Sequence, residues 1–454
     1  MGEIKMTRVL IIGGNAAGMS AASQVKRQQP DWEVTVLEKS SFISYGACGI
    51  PYYIQGLVHN LEDLITITPE EAVRKRKLNL KLHHEVSAID PHKNQVIVKT
   101  PGGQQKEPFD YLVISTGARP LQAGLEYKPS KRVSTVNSLD DAGNLRRFID
   151  SEKPHSCAVI GGGYIAVEML EALRERGLET QMIHRREDLA RTFEKEISTL
   201  AKEEMAAKGI ILNLNRPVSR IAEEDNQAKV YADDDEFRFD LAVVAIGVEP
   251  NSSLAAESGI ETGVKRAIKV NSHMQTNFPH IYAAGDCAET RNLVNGEKTY
   301  VALALKANKE GFVAGANIAG SDEIFPGVLG TAVTKIFDLG LARTGLTLAE
   351  AEKSGFTAVK YTITARSKAH YYPTGGTLTA VIIADKKTGR LLGAQLAGPV
   401  DSVKRIDVYA TALTAKMTVD QLFQLDLSYA PPFSPVYDPV VLSGRVGRKK
   451  VDGS

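Results

Sequence analysis

Two stretches of this chain repeat one design, and the repeat limits the folds open to it. Val9-Leu10-Ile11-Ile12 is a short apolar run that stops at Gly13-Gly14. Buried parallel strands have this length and this abrupt glycine stop. Residues 15–28 then read as a helix, ended by Pro30-Asp31. Val34-Thr35-Val36-Leu37 makes the next strand and closes on Glu38. The design returns 148 residues later, from Gly13 to Gly161. Ala158-Val159-Ile160 runs into Gly161-Gly162-Gly163, a helix spans residues 164–176 with Gly177 as its cap, and Thr180-Gln181-Met182-Ile183 ends at His184. Two βαβ units of the Rossmann type predict two bound dinucleotides.

Tyr111-Leu112-Val113-Ile114 and Leu241-Ala242-Val243-Val244 are further apolar strands, each leading to a glycine, Gly117 and Gly247. They bracket the second unit, which therefore reads as inserted into the first. Beyond Phe325-Pro326, alternating runs such as Ala380-Val381-Ile382-Ile383 predict an α+β domain. The expected fold is α/β, with a first nucleotide domain over residues 1–118 and 252–325. A second covers 119–251, and a C-terminal domain covers 326–454. The tail from Gly444, with Arg445, Arg448, Lys449 and Lys450, reads as frayed.

Length and composition narrow the class. A chain of 454 residues is too long for one core. Its 55 basic and 54 acidic residues leave no surplus for nucleic acid or an anionic membrane. No uncharged apolar run reaches the ~18 residues of a membrane helix. Cys48, Cys157 and Cys287 are too few and too scattered for a disulfide framework, so a reducing cytoplasm is expected. No metal is expected.

In the first fingerprint, Gly13 allows the tight turn and Gly18 lets helix pack on strand. Asn15 and Ala16 stand between them. The helix start offers free N–H groups to a pyrophosphate, and Glu38 is placed for ribose hydroxyls. The second fingerprint is Gly161-x-Gly163-x-x-Ala166, with Tyr164 and Ile165 opening its helix and Glu168 close behind. Superposing the units puts His184 where Glu38 stands. The ribose carboxylate is missing, and Arg185 and Arg186 follow, which suits a 2′-phosphate and hence NADPH. A solvated surface pair is the competing reading of those arginines.

Ile281-Tyr282-Ala283-Ala284-Gly285-Asp286 is one more strand running into Gly-Asp. Here the chain resembles the pyridine nucleotide–disulfide oxidoreductases, whose motif order it follows throughout: flavin fingerprint, Ser115-Thr116-Gly117, nicotinamide fingerprint, Ile246-Gly247-Val248-Glu249-Pro250-Asn251, Gly285-Asp286. The resemblance implies FAD in the first unit, with Asp286 on its ribityl chain and Lys39, Thr116, Gly117 and Ala304 beside it. It implies NADPH or NADH in the second, with Gly247 in contact. A helix starting near Ala302-Leu303-Ala304 is expected to aim its N-terminus at the reduced ring.

Ser44-Tyr45-Gly46-Ala47-Cys48-Gly49-Ile50-Pro51-Tyr52 resembles the active segment of the family's single-cysteine branch. That branch holds coenzyme A-disulfide reductases, NADH oxidases and peroxidases, and persulfide reductases. With no cysteine nearby, Cys48 must form mixed disulfides or oxidised sulfur species with outside partners. Peroxidase and oxidase types carry histidine where this chain has Ala16. The coenzyme A-disulfide type pairs its cysteine with two tyrosines of the partner subunit, matched here by Tyr371 and Tyr429. Gln24, Arg27 and Ser44 match its coenzyme A contacts, whereas Ala47 replaces its asparagine.

The expectation is therefore a homodimeric FAD enzyme that uses NAD(P)H to reduce a coenzyme A disulfide, or a related small disulfide or persulfide, through Cys48. NADH oxidase, persulfide or polysulfide reductase, and a flavin redox sensor are the alternatives.

Overall fold

A computed structural model describes residues 6–189 and 192–452. The first sheet begins with Arg8–Ile12 (β1), helix Ala16–Gln28 (α1) and Glu33–Glu38 (β2). The short helix Ile50–Gln55 (α2) follows, then Asn79–Leu82 (β3) and Tyr111–Ile114 (β4). The second sheet takes Val133–Ser134 (β5), Ser156–Ile160 (β6), Glu179–Ile183 (β7), Ile211–Asn213 (β8) and Leu241–Val244 (β9), with helix Tyr164–Glu175 (α3) after β6. The chain then re-enters the first sheet as Ile281–Ala283 (β10) and continues into helix Ala304–Ile318 (α4).

The two sheets have the same architecture. The first runs β10-β4-β1-β2-β3 and the second β5-β9-β6-β7-β8. Each of these pairs is parallel. Strands covered on both faces need apolar side chains on both, which is why β1 and β6 lack polar alternation. Three short antiparallel strands branch from each unit: Glu85–Asp90, Gln95–Thr100 and Gly103–Pro108 from the first, and Val218–Glu224, Gln227–Ala232 and Asp235–Phe239 from the second.

The third sheet is antiparallel. Ala332–Ile336 (β11), Leu339–Gly345 (β12), Ala358–Arg366 (β13), Thr377–Asp385 (β14) and Leu391–Pro399 (β15) take the order β11-β12-β15-β14-β13. Its core is continuous with that of the second unit, since Ile336 and Leu341 share one apolar cluster with Met169 and Leu170 of α3. Ile50 and Ile54 of α2 belong to the same cluster. The segment carrying Cys48 thus leaves the first unit and packs against the second.

One expectation is overturned here. Residues 444–452 are not frayed: Pro439–Asp452 is a single helix (α5) lying on the third sheet. Gly447 makes the close approach possible, because a Cβ there would stand 2.2 Å from the Tyr361 hydroxyl. The glycines that suggested a loose end are contact points.

Candidate active site

The first cradle is built by close backbone approach. Gly13 has φ +99°, and a Cβ on it would stand 2.4 Å from the Ser115 carbonyl oxygen. A Cβ on Gly18 would stand 1.9 Å from the Gly13 carbonyl. No side chain intervenes, so the first N–H groups of α1, which starts at Ala16, stay open to a phosphate. Asn15 does not cap α1 with its side chain. Its Oδ1 instead accepts from the Tyr45 N–H at 3.1 Å, which ties the turn to the Cys48 loop. Glu38 accepts from the Gly14 N–H at 2.8 Å and from the Ser40 N–H at 2.9 Å. Both carboxylate oxygens keep a lone pair for a hydroxyl. Lys39 is exposed beside it, Thr116 Oγ1 donates to the Asn251 carbonyl at 2.6 Å, and Gly117 turns at φ +68°.

Asp286 Oδ1 is buried and has no hydrogen-bond partner among the described residues. Burial raises the Asp286 carboxyl, while Lys306 and a bond from the Leu303 N–H lower it. That N–H precedes Ala304, the first residue of α4, so the start of α4 adjoins Asp286. Residues that sequence reasoning missed hold this corner. Lys306 Nζ lies 2.9 Å from Glu310 Oε2, with the two side chains 1% and 0% exposed. Lys306 also donates to the Gly285 and Ala288 carbonyls at 2.8 and 3.2 Å, and Glu310 accepts from the Gly285 N–H at 2.9 Å. An i,i+4 pair on a helix reads as surface decoration, and nothing in the local sequence signals its burial. A glycine cradle that any Cβ would fill, and a buried acceptor without a partner, both fit FAD.

At the second cradle, Gly161, Gly163 and Tyr164 form the turn and the start of α3, and Ile165 faces outward. Tyr164 meets Phe193 edge-on at 5.7 Å. His184 stands at the end of β7 as Glu38 stands at the end of β2, with its ring 3.0 Å from where a Gly162 Cβ would be. Burial, and then the neighbouring arginines, lower its proton affinity, and no carboxylate stands at the ribose position. Arg185 is exposed. Gly247 lies just past β9, its carbonyl accepting from Leu121 at 2.9 Å.

Cys48 occupies the 3-10 turn Ala47–Gly49 that leads into α2. It is exposed, whereas Cys157 and Cys287 are fully buried. Packing around the sulfur raises its thiol, and Glu168 and Asp286 raise it further. Glu168 comes from α3 and accepts from Thr334 Oγ1 of β11 at 2.8 Å. Burial is the main cause of its own raised carboxyl. Glu168 of α3 and Asp286 past β10 therefore both act on the thiol, and the third sheet holds Glu168 through Thr334.

Tyr371 and Tyr429 are brought together, their hydroxyls 3.4 Å apart, on exposed loops beside the third sheet. Neither is among the groups acting on the Cys48 thiol of the same chain. Gln24 is buried on α1 and accepts from exposed Arg27. Lys26, next to them, is engaged with the Pro30 and Trp32 carbonyls at 2.7 and 2.6 Å. Ser44 takes φ +45°, donates its N–H to the Gly14 carbonyl at 2.9 Å and accepts from the Thr66 N–H at 2.7 Å. Arg76, unmarked in the sequence, reaches Ser23 of α1 at 2.8 Å and adds a cation to this face.

Known proteins were compared with the chain. The family model described as Pyridine nucleotide-disulphide oxidoreductase matches residues 7–311, and the dimerisation-domain model of the same description matches 331–439. The NAD(P)H coenzyme A polysulfide/persulfide reductase of Pyrococcus horikoshii is 42% identical over 447 residues, 98% of this chain and 99% of that protein. The coenzyme A disulfide reductase of Staphylococcus haemolyticus is 30% identical over 446 residues, 98% and 100% of the two. Among solved structures, an NAD-dependent persulfide reductase from A. fulgidus superposes with a TM-score of 0.95 at 36% identity, over 98% of this chain and 84% of that one.

Proposed function

The chain belongs to the pyridine nucleotide–disulphide oxidoreductase family, and from that premise we propose that it reduces coenzyme A disulfide through Cys48, with NADPH as donor. It is an NAD(P)H-dependent flavoprotein of the disulfide oxidoreductase type. The observation that carries the proposal is that Cys48 is exposed while both other cysteines are fully buried. No thiol of the chain can close a disulfide with it, so its sulfur partner must come from a small molecule.

One turnover consumes NADPH, one proton and one coenzyme A disulfide, and yields NADP⁺ and two coenzyme A thiols. Bound FAD would supply the hydride chemistry that links NADPH to sulfur. Glu38 and Asp286 would hold its ribose and ribityl hydroxyls, with the start of α4 beside Asp286. The Cys48 thiolate attacks one sulfur of the substrate, a Cys48–coenzyme A disulfide forms, and the first coenzyme A leaves as a thiolate; two-electron reduction of that disulfide, with the electrons of NADPH, releases the second and restores the Cys48 thiolate. Tyr371 and Tyr429 of the partner subunit donate hydrogen bonds to the leaving sulfur. Arg27, Gln24 and Ser44 receive the phosphate-bearing end of the substrate. His184 in place of a carboxylate, with Arg185 beside it, supports NADPH over NADH.

A second reading is favoured by the higher identity to the polysulfide/persulfide reductase, 42% against 30%. There the substrate is a coenzyme A persulfide, and the products are one coenzyme A thiol and hydrogen sulfide. Anaerobic NADPH consumption with coenzyme A disulfide, with coenzyme A persulfide, and consumption under O2 alone separate these readings. Turnover with the disulfide, none with O2 alone, and none in Cys48→Ser are expected. Full disulfide turnover in Cys48→Ser would overturn the proposal.

A further inference from the structure

We propose that Arg405 is the positioning residue of the Tyr371–Tyr429 pair: its guanidinium, anchored by Asp438, grips the backbones of both tyrosine loops and sets the phenols opposite each other. The inference rests on the reading above that the phenols serve the leaving sulfur.

Tyr371 and Tyr429 are 63% and 47% exposed, so little packing within the chain locates their rings. Their 3.4 Å separation depends on where the two backbones are held. The Tyr429 loop holds itself only at one turn, where the Phe433 and Ser434 N–H groups donate to the Ala430 carbonyl at 2.9 and 3.1 Å. Three of the seven residues 429–435 are proline, Pro431, Pro432 and Pro435, and each lacks an N–H. Carbonyls of this loop therefore need donors from elsewhere. Arg405 supplies one of them to each loop. Nη2 donates to the Phe433 carbonyl at 2.6 Å and to the Ser367 carbonyl at 3.1 Å. Phe433 lies four residues after Tyr429, and Ser367 four residues before Tyr371.

The fork itself is fixed. Nε donates to Asp438 Oδ2 at 2.8 Å, and Nη1 approaches the Ser402 carbonyl at 3.4 Å. Asp438 accepts in addition from Ser434 Oγ and the Val440 N–H, each at 2.9 Å. Ser367 closes the base of the Tyr371 loop against Gly376, with bonds of 2.8 and 3.0 Å. Only one direct backbone bond joins the two loops, from the Ala369 N–H to the Pro431 carbonyl at 3.2 Å. Lysine carries its donors on one nitrogen and lacks the planar fork by which Arg405 meets Asp438 through Nε and both loop carbonyls through Nη2.

The test uses full-length holoenzyme carrying 3-fluorotyrosine at position 429. Tyr371→Phe should shift the fluorine resonance, which identifies the paired state. Arg405→Met should shift and broaden the same resonance, with Arg405→Lys intermediate and assayed in its place where the methionine variant does not fold. An unmoved resonance in both Arg405 variants would overturn the proposal, whatever the kinetics show. In the kinetic arm, flavin bleaching by NADPH should be unchanged in Arg405→Met. Its kcat with coenzyme A disulfide should fall about 10- to 100-fold, the cost of misplacing a reacting group by roughly 1 Å. Adding Arg405→Met to Tyr371→Phe/Tyr429→Phe should cost nothing further, because both changes remove the same contribution. Additive loss would refute action through the phenols. If Tyr371→Phe/Tyr429→Phe alone keeps full kcat, the assignment of the phenols fails, while the fluorine shift still decides what Arg405 holds.

Discussion

Asp286 holds a carboxylate that burial disfavours and Lys306 only partly supports. Its proton affinity is higher in the folded apoprotein than in the unfolded chain, so the native state binds more protons. Stability then falls as pH rises through the raised value. The penalty is absent below about pH 4, the ordinary carboxylate range, and complete above the raised value. Asp286→Asn should therefore raise the apoprotein Tm at pH 7–8 by about 1–2 °C, with the gain vanishing near pH 4. The same variant should lose FAD on dilution, which the return of free flavin fluorescence would report; unchanged retention would contradict the role given to Asp286. Glu168 offers a second check. Its carboxylate raises the Cys48 thiol, so Glu168→Gln should move the pH midpoint of Cys48 alkylation down. A midpoint that stays or rises would dissociate the two residues. Cys48 and Asp286 were legible because each sits in a short contiguous motif. Lys306 and Glu310 were not, because burial of an i,i+4 pair is decided by what packs over the helix.

Helix α1 lies against α4, and glycines on α4 set the distance. A Cβ on Gly311 would stand 2.2 Å from the Ala17 carbonyl, and one on Gly315 would stand 2.5 Å from the Ala21 carbonyl. Both helices begin at the flavin cradle, α1 beneath the first glycine turn and α4 beside Asp286. Gly311→Val should force them apart, destabilise the protein by about 1–3 kcal/mol and reduce the bound flavin per chain. Thermal melting and the visible flavin spectrum would measure both effects, and a normal flavin content would show that the helix spacing is not needed for the cradle. The strand–glycine–helix order of both units was legible because period and punctuation are local properties. The seating of α5 was not. Gly444 and Gly447 carry no side-chain pattern, and only the fold shows that Gly444 fits against Val419 and Phe423 and Gly447 against Tyr361.

The whole molecule presents a face that a single chain leaves uncovered. Phe433 and Val436 are 74% and 72% exposed, with Tyr371, Tyr429 and Tyr437 on the same loops. Exposed apolar patches of this kind mark interaction surfaces, and residues 331–439 match the family's dimerisation domain. If each active site takes Cys48 from one protomer and the tyrosines from its partner, two dead variants should restore one another. Cys48→Ser mixed with Tyr371→Phe/Tyr429→Phe gives heterodimers with one complete site. Random reassociation should recover about a quarter of the wild-type rate, since half the dimers are mixed and half their sites are whole. A mixture as inactive as its parents would place thiol and phenols in the same chain.

Local pattern determined two dinucleotide units, one set within the other, and Glu38 at the end of the second strand, while motif order and its resemblance to a family singled out Cys48 and Asp286. Such features are written in strand length, glycine position and motif order, which need no knowledge of distant contacts. Tertiary structure decided how the pieces meet. It sends the Cys48 segment onto the second unit, brings Glu168 and Asp286 to one sulfur, buries Lys306 against Glu310 and ties two tyrosine loops to one arginine. These arrangements join residues far apart in the chain or depend on what covers them, and burial, which fixes their energy, exists only once the chain has folded.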